Sequence, residues 1–247
     1  MHRRVEAQTV PARGFDHVDT WVFDLDNTLY PAHCKLFDQV DRRMGSFISE
    51  LLGLEPAEAR ALQKTYFREY GTTLAGLMAC HGIDPHAFLD YVHDIDLSVL
   101  TEDAELSRAI AALPGRRFVF TNGSRQHAAN VLDRIGLSSL FDDVFDIADA
   151  DFVPKPDPAC YERFLAKVAC SATTAAMFED IARNLIEPHQ LGMTTVLVHS
   201  PANEDGAMIH SWAGISGDED YIHHRTDDLR GFLCEIAPAS RGCGGTA

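Results

Sequence analysis

The sequence lacks any apolar run approaching the roughly 20 residues that a membrane-spanning helix needs. Its opening residues, Met1-His2-Arg3-Arg4-Val5-Glu6-Ala7, hold no apolar core of a secretory signal, so no leader is expected there. The six cysteines (Cys34, Cys80, Cys160, Cys170, Cys234 and Cys243) are scattered and form no Cys-x-x-Cys pair. That spacing fits neither a zinc site nor a small disulfide framework, so reduced thiols and a cytoplasmic setting are expected. Basic residues are scarce. Lys and Arg number 21 against 37 Asp and Glu, a formal net charge of −16. This balance opposes a nucleic-acid or anionic-membrane partner, because both recruit basic surfaces. An anionic small ligand would then need local positive charge, from a metal or from a placed Lys or Arg. The 12 histidines show no metal-type spacing on one helix, and His223-His224 reads as surface. There is no internal repeat and no low-complexity tract beyond the end of the chain, 240–247, which reads as disordered.

What is present is an ordinary globular composition, 46% hydrophobic over 247 residues. That length suits one large domain, or a core with a small second domain. The stretch Trp21-Val22-Phe23-Asp24-Leu25-Asp26-Asn27-Thr28-Leu29-Tyr30 organises the rest. A short apolar run bounded by polar residues predicts a buried strand over 20–24. Side chains two apart on extended backbone share a face, so Asp24 and Asp26 can address one small volume at the strand's carboxyl end. Open parallel α/β sheets bind their ligands at that edge. Two carboxylates there repel each other and favour a cation.

After a polar lead-in over 1–18 and this strand, the pattern is helical from Pro31 to about Leu100. Val40, Met44, Phe47, Ile48, Leu51 and Leu52 recur at helical spacing. Pro56 suits the first turn of a second helix, and Gly71-Thr72-Thr73 breaks it. Gly82 ends a third helix, and Asp84-Pro85 opens a fourth. No strand interrupts them, which marks a helical insertion. Strands then alternate with helices: strands are expected over 117–121, 141–147, 175–180 and 194–199, with a short edge strand over 221–223. A long loop is expected over 200–220. Repeated strand–helix units imply a parallel sheet covered on both faces. The expected fold is α/β, a Rossmann-like three-layer core over 1–30 and 101–247 with an α-helical cap over 31–100.

Four strand ends or turns place polar residues on one edge: Asp24/Asp26, Thr121-Asn122, Lys155 and Glu179/Asp180. Each alone has a plainer explanation as a cap, a turn or a solvated side chain. Together they point to phosphoryl transfer. Asp24 can attack phosphorus and form an aspartyl-phosphate. Mg²⁺ takes oxygen ligands, commonly one or two carboxylates plus substrate phosphate, so Asp24 and Asp180 form the natural pair, with Glu179 as a third or water-mediated ligand. The Thr121 hydroxyl, the backbone N–H groups after it and the Lys155 ammonium can hold the phosphate oxygens. Asp26 is placed for general acid–base work, for which a raised pKa is expected.

Asp-Leu-Asp-Asn-Thr-Leu, Thr-Asn-Gly, Lys-Pro and Glu-Asp-x-x-x-Asn resemble the four motifs of the haloacid dehalogenase-like hydrolase superfamily, over about residues 19 to 235. The resemblance implies Asp24 as nucleophile and Asp26 as acid/base. It adds the Asp26 backbone carbonyl to Asp24 and Asp180 as Mg²⁺ ligands, and assigns phosphate binding to Thr121 and Lys155. The insertion after the first motif resembles the superfamily's helical cap. The second aspartate favours a phosphatase or mutase over a true dehalogenase. Leu29-Tyr30-Pro31, the segment from Tyr70-Gly71-Thr72-Thr73 to Leu77, and Arg183-Asn184-Leu185 resemble pyrimidine 5′-nucleotidases. Ile181-Ala182 departs from the Ser-Pro-like pair of many relatives. The expected substrate is a small-molecule phosphate ester, foremost a pyrimidine nucleoside 5′-monophosphate, handled by a monomer or homodimer. The alternatives are a sugar-phosphate or phosphoglycolate-type phosphatase, a phosphomutase, or a non-catalytic binding protein on the same fold. Thr72, Asn122 and Gly123 are the expected substrate contacts, and His33, Lys35, Arg68, Tyr70, Ser124 and Arg125 are further candidates.

Overall fold

The computed structural model describes residues 13–199 and 220–237. Most of the lead-in, nearly all of the loop expected over 200–220 and the tail expected over 240–247 lie outside them. Strand β1 (Thr20–Phe23) is buried at every position. Four helices follow it without an intervening strand: α1 (Leu36–Leu52), α2 (Pro56–Tyr70), α3 (Thr73–His81) and α4 (Pro85–Val92). Their boundaries obey local chemistry. Glu55 and Glu58 form a reciprocal capping box with Pro56 in the first turn of α2. The Thr72 hydroxyl accepts the Ala75 N–H to start α3, and Gly82 ends it at a φ of 61°. Val40, Ile48, Tyr66, Leu77, Phe88 and Val92 pack into a core of the cap's own, which Ile147 enters from below.

Beyond the cap run α5 (Ala104–Ala111), β2 (Arg116–Phe120), α6 (Arg125–Arg134), β3 (Asp143–Phe145), α7 (Pro158–Val168), β4 (Ala175–Glu179), α8 (Ile186–Gln190), β5 (Thr194–Val198), β6 (His224–Thr226) and α9 (Leu229–Ile236). The six strands form one parallel sheet in the order β3-β2-β1-β4-β5-β6. Strand alternation sorts the β1 side chains. Trp21 and Phe23 join residues of α5, α6 and α9 on one face, and Val22 joins α7 on the other. Fully burying a side chain such as Phe23 stabilises the fold by about 1.5–3 kcal/mol. The outcome is an α/β core of three layers with an inserted helical cap. Among the described residues no helix is long and apolar enough to cross a membrane.

The edge strand lies three residues later than the expected 221–223. Ile222 is buried, which produces the strand-like pattern, but the ladder with β5 forms at His224–Thr226. The preceding residues are committed to Thr195: its hydroxyl donates to the Tyr221 carbonyl, and its N–H donates to His223 Nδ1 at 3.1 Å.

Chain order matters for the site. The strands build outward from β1 to β3 on one side, then from β4 to β6 on the other. The carboxyl ends of β1 and β4 therefore flank the switch point where such sheets bind ligands.

Helices α2 and α3 approach closely at Gly76. A Cβ there would meet Tyr66 Cβ and Cγ, both at 2.4 Å. Alanine improves helix propensity by about 1 kcal/mol, but overpacking against a fixed neighbour costs about 1–3 kcal/mol. Gly76→Ala is expected to lower the denaturant midpoint; an unchanged or raised midpoint would show that the cap has slack here.

Candidate active site

Asp24 follows β1 directly, its N–H bonded to the Phe178 carbonyl of β4 at 2.9 Å. Its side chain meets Lys155, which arrives from the turn before α7. The fully buried Lys155 Nζ donates to Asp24 Oδ1 at 2.7 Å, to Glu179 Oε1 at 2.8 Å and to the Phe120 carbonyl at 2.8 Å. All three donors of the ammonium are thereby used. Burial alone would lower the Lys155 pKa, but Asp24 and Glu179 together raise it above the usual lysine value. Glu179 is well partnered too: it also accepts Asn184 Nδ2 at 2.6 Å and the Ile181 N–H at 2.7 Å. Burial opposes its charge, yet Lys155 and these donors hold it below the ordinary carboxylate range. Asp24 is pushed up to about 7 by burial, against the pull of Lys155 and with Glu179 adding repulsion. Asp180 is pushed well above its ordinary value by burial, then by Glu179 and Asp24.

This electrostatic strain tests whether the residues suit a metal. Asp24, Glu179 and Asp180 can each offer an oxygen within 4.8 Å of the others. Three carboxylates share one ammonium, so a positive charge is missing. The buried Asn184 Oδ1 also has no partner among the described residues, and it borders the same cavity. An all-oxygen donor set short of cation, with a spare acceptor for a hydrated ion, suits Mg²⁺. The triad can hold a divalent metal.

The phosphate-side residues come from the end of β2. Thr121 is buried and its hydroxyl oxygen accepts the Gly123 N–H at 2.9 Å, which leaves the hydroxyl proton free to donate. Asn122 borders the cavity but uses its amide to clamp Lys155. Its Oδ1 accepts the Lys155 N–H at 2.9 Å, and its Nδ2 donates to the Lys155 carbonyl at 3.3 Å. Thr72 faces the same cavity while its oxygen caps α3.

Asp26 differs from the expectation of a raised pKa. The Tyr30 hydroxyl donates to its Oδ1 at 2.5 Å, and His127 Nε2 lies 2.8 Å from the same oxygen. Burial pushes the carboxyl up, but His127, Tyr30 and His93 outweigh burial and hold it below its usual value. The sequence showed the neighbouring carboxylates; it gave no sign of a histidine from α6.

The other candidates sit apart from the cavity lining. His33, Lys35 and Arg68 are exposed, and Arg68 faces Glu69 at 3.7 Å. The Tyr70 hydroxyl meets Cys80 Sγ at 3.3 Å. Ser124 caps α6 and contacts His93, while Arg125 pairs with Asp143 and Asp149. Residues outside the expected contacts, Phe37, Asp41, Arg60, Gln63, Phe67 and His93, line the cavity instead, which has a volume of about 320 Å³. Arg183 ties cap to core. Its guanidinium stacks on Phe67 at 4.2 Å, and Nη2 donates to the Gly71 carbonyl at 2.8 Å.

Removing Lys155 leaves buried carboxylates without their counter-charge, a loss that costs about 3–5 kcal/mol in comparable ion pairs. Lys155→Met is therefore expected to melt lower. Without the ammonium the folded-state carboxyl pKa values lie above their unfolded ones, so the deficit grows as pH rises and shrinks as pH falls. Thermal melts at pH 5 and pH 8 check this; an equal deficit at both would contradict it.

Comparison with known proteins fits this geometry. A family model described as haloacid dehalogenase-like hydrolase matches residues 18–187, a span that takes in Asp24, Thr121, Lys155, Glu179 and Asp180. Phosphate metabolism protein 8 of Saccharomyces cerevisiae is 28% identical over 193 residues, 71% of this chain and 60% of that protein. The match thus spans less than two thirds of the relative's length. Among solved structures, a HAD phosphatase from Thermococcus onnurineus aligns with a TM-score of 0.57 at 15% identity, over 89% of this chain and 98% of that one. The putative HAD-hydrolase YfnB from Bacillus subtilis, bound to magnesium, aligns with a TM-score of 0.55 at 14% identity, over 89% and 98%. The two structural likenesses concern the fold, and the family match carries the assignment: the chain belongs to the haloacid dehalogenase-like hydrolases.

Proposed function

We propose that this protein is a Mg²⁺-dependent phosphomonoesterase working through an aspartyl-phosphate, with a pyrimidine nucleoside 5′-monophosphate as its substrate. The observation that carries the reaction class is the contact of Asp24 with Lys155 at 2.7 Å, beside Glu179 and Asp180, at the edge of a cavity shared by cap and core. A carboxylate and an ammonium this close suit attack on an anionic group that the carboxylate alone would repel.

Asp24 Oδ attacks phosphorus, the bond from phosphorus to the ester oxygen breaks, and the departing alkoxide takes a proton from Asp26. Asp26 then takes a proton from water as that water attacks the aspartyl-phosphate, which restores Asp24 and releases phosphate. In the free protein His127 and Tyr30 hold the Asp26 carboxyl low. Its proton must therefore arrive with the substrate, or be taken up as phosphate charge raises the carboxyl. Thr121 donates its hydroxyl to a phosphate oxygen and Lys155 supplies positive charge. Asp24, Asp180 and the Asp26 backbone carbonyl, together with Glu179, would hold Mg²⁺. The ion supplies charge neutralisation for the phosphate oxygens when bound.

The nucleotide reading rests on the cavity's far wall. Phe37 and Phe67 line the cavity together with Asp41, Arg60 and Gln63, an aromatic and polar lining of the kind that suits a base. A cavity of about 320 Å³ suits a small phosphate ester rather than a polymer.

With Mg²⁺ present, UMP and CMP are expected to exceed AMP and hexose phosphates in kcat/KM by about tenfold or more, equivalent to about 1.4 kcal/mol of selective binding. Equal values would remove the nucleotide reading and leave the phosphatase. Asp24→Asn is expected to fall to background on every ester, and EDTA should silence the wild type until Mg²⁺ is returned. Undiminished hydrolysis by Asp24→Asn would assign the activity to another site.

A further inference from the structure

The pair formed by His127 and Tyr30 has a use that the reaction class does not specify. Both side chains converge on one oxygen of Asp26, Oδ1, at 2.8 and 2.5 Å. No hydrogen bond to Oδ2 is found among the described residues, and Asp26 borders the cavity. The torsion that turns a carboxylate about its last bond is broad and nearly two-fold, so a lone Asp would present either oxygen at varied angles. Two donors on one oxygen remove that freedom. Oδ1 is the acceptor of both bonds when Tyr30 O–H and His127 Nε2–H are the donors.

The imidazole is itself held. His127 is buried on α6, and its ring lies parallel to that of His93 at 4.2 Å and 9°. His93 stands at the end of α4, borders the cavity and contacts Ser124 Oγ through Nδ1 at 3.0 Å. Burial lowers the His93 pKa to about 3, so this ring stacks as a neutral group.

We propose that His127, assisted by Tyr30, is a positioning residue that fixes Asp26 by Oδ1 so that Oδ2 is the oxygen exchanging the proton with the leaving group. His93, at the end of α4, stacks on the His127 ring and so supports that arrangement from the cap side. The inference rests on the reading of Asp26 as proton donor.

The test uses the leaving group. An alkyl phosphate needs its departing oxygen protonated, whereas p-nitrophenyl phosphate releases a stable phenolate. The ratio kcat/KM reports steps through aspartyl-phosphate formation and thus isolates that proton transfer. For the intact Mg²⁺-loaded enzyme, His127→Leu is expected to lose about 30- to 100-fold on the alkyl ester but under about threefold on the aryl ester, since a misplacement near 1 Å can cost about 10²-fold. His127→Gln, which can offer an amide N–H in place of the imidazole N–H, should recover to within about fivefold of wild type. Tyr30→Phe removes the other donor while leaving His127 in place, and should give a smaller split of the same sign. Equal losses on both esters in His127→Leu and Tyr30→Phe, or no loss, would overturn the proposal. Asp26→Asn separates the two levels. A leaving-group split there without one in the other variants defeats the positioning role alone. No split in Asp26→Asn defeats the reading of Asp26 as donor, and the positioning role falls with it.

Discussion

A single buried ammonium sets the terms for the rest of the molecule. Lys155 Nζ bonds at once to Asp24 on the end of β1, to Glu179 on the end of β4 and to the carbonyl of Phe120 on the end of β2. Three adjacent strands thus end on one cation. Burying that charge is costly, and only near-perfect pairing repays it. The pairing is built by surrounding residues with few degrees of freedom left. Asn122 clamps the Lys155 backbone from both sides, and Asn184 and the Ile181 N–H fix Glu179. Asp24 and Asp180 retain an unmet demand for positive charge, which is the property a metal-dependent phosphoryl site needs.

Two of the contacts between cap and core differ in chemistry. Arg183, in the loop after β4, stacks on Phe67 and bonds the Gly71 carbonyl. His93 stacks on His127 at the other junction. Asp180 lies three residues before Arg183, and Asp26 accepts from His127. Each contact therefore ends beside a group that the proposed chemistry uses.

Much of this was legible in the chain because it is local. The burial of residues 20–23 and the cap at Asp84 follow from short-range pattern and backbone chemistry. So does the placing of charged residues at strand ends, since a parallel sheet gathers those ends on one edge. What stayed hidden depends on partners far apart in sequence. The bond from Asp26 to His127 spans 101 positions, and no periodicity announces it. For the same reason the Asp26 carboxyl shifts opposite to the direction its near neighbours suggested. The cavity wall was missed because Phe37 and Phe67 sit on helices whose apolar stripes look like ordinary core. The misplaced edge strand reflects Thr195, whose side chain claims Tyr221 and His223 before pairing begins.

The position of β1 at the centre of the sheet also bears on how the chain comes to be folded. Its two ladder partners are β2 at 116–120 and β4 at 175–179. During synthesis the strand that holds the nucleophile emerges before either of them. The cap helices between residues 36 and 92 make short-range contacts and can settle first, while long-range strand pairing is slower. Val22 and Phe23 keep hydrogen-bonding groups open until residues 116–120, and then 175–179, have been made. The segment that carries the nucleophile is thus exposed while its partners are made, and polar Asp24, Asp26 and Asn27 directly after it break what would otherwise be a sticky apolar run.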